Sequence, residues 1–94
     1  MSSTLTDLLA TALAARAPLI AQLAAEDTDA WRLFHGTVEG APGITVDRYG
    51  AVLLAQTFHR PLTVEQLAEL EAFYAQALPG LPLVWNDRSG KNSR

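Results

Sequence analysis

Three side chains carry the groups best suited to proton transfer: His35, His59 and Asp47. Imidazole titrates near neutrality and a carboxylate can orient it, so a convergence of the three would supply acid–base chemistry. They fall on different candidate strands, and their spacing fixes no nucleophile beside them. Read structurally, each is a polar residue at a strand end. The glycines Gly36, Gly40 and Gly43 are spaced G-x-x-x-G-x-x-G. A glycine turn that lets the backbone approach a nucleotide cofactor follows a strand, whereas this run precedes one. Ser89-Gly90-Lys91 has the ending of a phosphate loop, but Asn92 stands at the Ser/Thr position and no glycine sits five before Gly90. Glu26-Asp27-Thr28-Asp29 lacks the glycine turn and distal glutamate of a calcium loop and reads as a solvated loop.

The elements that would position these groups follow from periodicity. Thr4 can cap a helix, with Asp7 completing a capping box, and Leu5, Leu8, Leu9, Ala12 and Leu13 recur on one face. Pro18 has no N–H to give, so a break or kink is predicted near Arg16–Ala17, with Leu19, Ile20 and Leu23 as a second stripe. Trp31 to His35 reads as a strand with Trp31, Leu33 and His35 on one face and Arg32 and Phe34 on the other. Gly40, Pro42 and Gly43 shape the turn that follows. Ile44 and Val46 alternate with Thr45 and Asp47, the pattern of a half-buried strand. Arg48-Tyr49-Gly50 reads as a hairpin loop, with Gly50 left-handed at a bulge and Asp47 accepting backbone hydrogen bonds around it. Ala51 to Phe58 is apolar on both faces and belongs inside its sheet.

Thr63 and Gln66 form a second capping box, and Leu62 can staple against Leu67. Leu67, Leu70, Phe73, Tyr74, Ala77 and Leu78 make the buried stripe, which Pro79-Gly80 ends. Leu81 to Trp85 is then a strand, parallel to 51–58 through a right-handed crossover. The fold class is α+β: one domain over 1–85, with a helical segment at 4–25, an antiparallel meander at 31–58, a helix at 63–78 and a strand at 81–85. About four strands form a mixed sheet whose order periodicity leaves open. Residues 86–94 are polar, without periodicity, and read as a linker or tail of a piece cut from something longer.

Composition narrows the classes of function. The chain has 94 residues, 49% of them apolar, which suits one small folded domain. It has no cysteine, so disulfides and thiolate zinc sites are excluded. No apolar run reaches the roughly 18 residues of a spanning helix, and no basic region precedes an apolar segment at the start. The expected location is therefore cytoplasmic, with no membrane partner. Net charge is −3, with a pI near 5.1, which argues against autonomous nucleic-acid binding. A local basic strip remains available at Arg88, Lys91 and Arg94. Trp31 and Trp85 fit a core or domain interface better than a base-stacking platform.

Glu39-Gly40-Ala41-Pro42-Gly43-Ile44-Thr45-Val46-Asp47-Arg48-Tyr49-Gly50 resembles the Asp-Gly-Leu-Pro-Gly-Leu-Thr-Val-Asp-Arg-Tyr-Gly signature of a bacterial methyltransferase family. That family is the class I S-adenosylmethionine-dependent type acting on large-subunit ribosomal RNA. The signature lies in the domain before its catalytic domain, and Trp31 to Gly36 resembles the strand preceding it there. The likeness covers roughly residues 28 to 88. Glu39 and Ala41 depart from the pattern, and no basic RNA-binding domain precedes the first helix here. The family's catalytic cysteines and Asn-Pro-Pro motif are absent from these residues. The resemblance therefore implies an N-terminal accessory module with no catalytic, cofactor-binding or metal residues of its own. S-adenosylmethionine would be the cofactor of the parent protein. Its partners would be its own catalytic domain and ribosomal RNA. The module would help position the RNA or brace the catalytic domain, with Arg48, Arg88, Lys91 and Arg94 as RNA or interdomain contacts, on one shared face if they hold RNA. The alternative is a structural or self-association domain without RNA contact, its exposed apolar surface normally covered. Helix 4–16 is expected to pack on the sheet or on a second copy of the chain.

Overall fold

The computed structural model describes residues 4–41 and 43–88. Its elements run α1 (Leu5–Ala25), β1 (Ala30–His35), α2 (Gly36–Glu39), β2 (Ile44–Tyr49), β3 (Val52–Thr57), α3 (Val64–Ala77) and β4 (Leu83–Asp87). The sheet order is β1-β2-β3-β4, antiparallel except for the parallel β3–β4 pair that α3 connects. The α+β class, the antiparallel meander and the parallel pairing of the last strand with β3 are as the periodicity predicts. Both longer helices start at full capping boxes, Thr4 with Asp7 and Thr63 with Gln66, which satisfy donors a helix end otherwise leaves open.

Register divides the sheet into two faces. Trp31, Arg48, Leu53 and Leu83 form one row, and Phe34, Val46, Ala55 and Trp85 the next, both facing the helices. Phe34, Val46, Leu53 and Ala55 make the core with Leu9 and Ala12 of α1 and Leu70 and Tyr74 of α3, and Trp31, Leu83 and Trp85 pack against it. The other face carries Tyr49 and Val52, then Arg32, Asp47, Leu54 and Val84, and among the described residues no helix packs over it. Tyr49, Val52 and Val84 are exposed there.

Several local expectations are corrected. Helix α1 runs through Pro18 without a break. Ala14, whose carbonyl would have accepted the missing bond, and Pro18 itself are both exposed, which leaves that carbonyl open to solvent. Over an 18-residue window α1 has a mean hydropathy of 1.5, so by length and composition it is long and apolar enough to cross a membrane. Asp7 and Arg16 interrupt any unbroken apolar run, so a run of consecutive apolar residues stops short of the helix length. The β1 alternation is broken by a bulge. Arg32 pairs with Asp47 and Phe34 with Val46, leaving Leu33 as the extra residue, and both Leu33 and Phe34 are buried.

No bulge occurs at the β2–β3 hairpin. Tyr49 pairs directly with Val52 across Gly50-Ala51, and φ is positive at Gly50 (58°) alone, as in a II′ turn. Strand β2 is buried on both faces, with Thr45 at 8% and Asp47 at 4% exposure, because strands flank it on each side and Arg32 lies over Asp47. Ala77 is exposed instead of buried, because α3 ends there and turns away through Leu78. Asn86 and Asp87, read as tail, belong to β4. They pair with Gln56 and Thr57, and the Thr57 hydroxyl donates to Asp87 Oδ1 at 3.2 Å. Pro42 and the 89–94 stretch, including Ser89-Gly90-Lys91, lie outside the described residues.

Candidate functional site

Arg48, singled out from sequence, ends on the helix side of the sheet. Its Nε donates to the Gly50 carbonyl at 2.7 Å, which ties the side chain to the hairpin. The guanidinium lies 5.3 Å from the centroid of the Trp31 ring, its neighbour across β1–β2, in a cation–π contact. No carboxylate among the described residues pairs with it. Beside it opens a groove of about 320 Å³ bounded by Leu13, Ile20, Leu33 and Leu78, with Ala17 and Ala21 leaving room above. Four elements converge to form it: the middle of α1, β1, β2 through Arg48 itself, and the C-terminal cap of α3.

Arg88 does not join Arg48. Its amide donates to the Thr57 carbonyl at the far end of β3, whereas Arg48 pairs with Leu53 near that strand's start. Lys91 and Arg94 lie outside the described residues. Asp47 does not shape the hairpin. It sits inside β2, and Arg32 holds its carboxylate through two hydrogen bonds of 2.7 and 3.2 Å. That hydrogen bond raises the Arg32 pKa above its ordinary value. With Asp47 engaged there, no hydrogen bond links it to His35 or His59 among the described residues. His59 packs instead over Gly43, whose φ of 90° admits the turn, and lines a cleft of about 400 Å³ with Arg60 and Gln66.

A second polar cluster was not legible from spacing. Arg16 reaches from α1 to Glu39 of α2 at 2.5 Å, and the other Glu39 oxygen accepts the His35 amide at 2.8 Å. The Arg16 hydrogen bond, with help from the His35 amide, holds the Glu39 carboxyl below its ordinary value of 4.5 against the opposing effect of burial. A depressed carboxylate adds stability that is complete above its unfolded pKa and is lost as pH falls through the folded one. Glu39→Gln keeps a carbonyl for His35 but removes the charge. The loss of stability between pH 7 and pH 3, read from urea midpoints, is therefore expected to be shallower in this variant than in the parent. An unchanged pH slope would mean that Glu39 is not held this way.

Tyr74 lies under this cluster, 1% exposed, with a hydroxyl that has no hydrogen-bond partner among the described residues. Burial pushes its phenol pKa up. A buried hydroxyl left unpaired costs about 1–3 kcal/mol, so Tyr74→Phe is expected to stabilise the domain by about 1 kcal/mol. Urea unfolding checks this. Destabilisation would show that the hydroxyl finds a partner in solution.

No protein-family model matches the chain. Over 67 residues, 70% of the chain, it is 40% identical to a ribosomal RNA large subunit methyltransferase of Deinococcus radiodurans. The matched stretch spans 16% of that relative's length. By sequence the chain is thus similar to a small part of a much longer protein.

Proposed function

We propose that this domain is a non-catalytic accessory module of a ribosomal RNA methyltransferase and braces the domain that holds S-adenosylmethionine. The observation that carries the reading is the match itself: 40% identity confined to 16% of the longer relative's length. The open sheet face supplies the bracing surface. Tyr49 and Val52 of one row and Val84 of the next are exposed on a face that soluble domains ordinarily cover. Bracing is favoured over holding RNA because Arg16 and Arg32 are committed to carboxylates, while Arg48 and Arg88 sit at opposite ends of the sheet. Acidic net charge points the same way.

The test uses the remainder of the Deinococcus radiodurans relative, produced without the matched stretch and mixed with this domain. Amide shifts are expected on the Tyr49, Val52, Leu54 and Val84 face, and Val52→Glu with Val84→Glu should abolish them. Shifts confined to the helix side would sink the proposal. Calorimetry on the domain alone should show no S-adenosylmethionine binding. The self-association reading invokes the same exposed face, and sedimentation of the domain alone distinguishes it by a concentration-dependent mass.

A further inference from the structure

We propose that the groove beside Arg48 binds an amphipathic carboxylate, an apolar body carrying one negative charge. The inference stands apart from the module reading, which uses the opposite face of the sheet. Seven of the eight lining side chains are apolar, and Arg48 is the single charge. A volume of about 320 Å³ lies at the small end of ligand sites, which run from about 300 to 1,000 Å³. The charge count decides the class of ligand. Arg16 and Arg32 each have a carboxylate within the fold, while Arg48 has none among the described residues. Among the described residues only its Nε is used, on Gly50, so the terminal nitrogens of the fork remain to bind a carboxylate.

One cation in an apolar setting suits a monoanion. A phosphodiester chain would demand further positive charges along its length, and the lining offers none. Trp31 holds the guanidinium in place from below, so little side-chain freedom is lost when the ligand arrives. The apolar body would lie along Leu13, Ile20, Leu33 and Leu78, over the small side chains of Ala17 and Ala21.

Decanoate, decanol and decylamine, each titrated below its aggregation concentration, test the proposal by indole N–H resonances. The chain has two tryptophans, which gives an internal control. Trp31 borders the groove, whereas the Trp85 indole donates to Thr57 at 3.1 Å near the other end of β3. Decanoate is expected to shift Trp31 and leave Trp85 in place. Arg48→Met should weaken decanoate about tenfold and leave decanol within about twofold, the difference of one charge-assisted contact. Ala17→Phe, at an exposed helix position, should fill the groove and weaken both ligands. An unmoved Trp85 resonance in both variants reports that the fold is intact. Equal affinity for decanoate and decanol, preference for decylamine, or absence of Trp31 shifts with all three overturns the assignment.

Discussion

Phe34→Ala is expected to destabilise the domain by about 3–5 kcal/mol, the range for truncating a buried phenylalanine. Small domains hold only about 5–15 kcal/mol in total, so the variant should be substantially unfolded at modest urea concentrations. Phe34 has 0% exposure and sits opposite Val46, in the row that continues through Ala55 to Trp85. The cavity would open at the centre of the sheet, where strands on both sides hold the backbone and restrict collapse. Val64→Ala, at 83% exposure, should change stability by about 0.5 kcal/mol or less. Comparable midpoints for the two variants would contradict the burial of Phe34, and with it the β1 register.

That register marks a limit of reading by periodicity. Alternation from Trp31 assigns Phe34 to the face opposite Leu33, yet the bulge turns both into the core. A bulge adds one residue without a composition signal, so a period-2 reading passes over it. The capping boxes at Thr4 and Thr63 were legible because their donors and acceptors lie three residues apart. Parallel pairing of β4 was legible because an intervening helix dictates it. The extension of β4 to Asp87 was not, since Asn86 and Asp87 look like loop residues until Thr57 pairs with them. The same distinction separates the site residues. Arg48 could be singled out from its motif, but its groove needs α1, β1, β2 and the C-terminal cap of α3 to converge. The Arg16–Glu39 and Arg32–Asp47 pairs join residues 23 and 15 apart, distances at which sequence spacing carries no geometry.

The turn between β1 and β2 shows how a glycine can be required without an unusual φ. Gly36→Ala is expected to destabilise the domain by about 3 kcal/mol or more, at or beyond the usual range for overpacking. A methyl group on Gly36 would overlap the Ala41 carbonyl oxygen and lie 2.7 Å from that of Ile44. Both obstacles are backbone, so no rotamer change relieves them. The Gly36 carbonyl accepts the amides of Gly40 and Ala41 at 2.9 and 2.8 Å, which wraps the segment tightly around this residue. Opening the turn would also pull Glu39 from Arg16 and from the His35 amide. Gly50→Ala provides the contrast. Its φ of 58° imposes the left-handed cost of about 1–2 kcal/mol, but the nearest atom, Asp29 Oδ2, is 3.7 Å away. Urea midpoints should therefore fall much further for Gly36→Ala than for Gly50→Ala, and the His35 amide should lose its hydrogen-bonded shift in the first variant alone. The reverse order would mean that close backbone approach, rather than a demand on φ, is the feature misassigned to this turn.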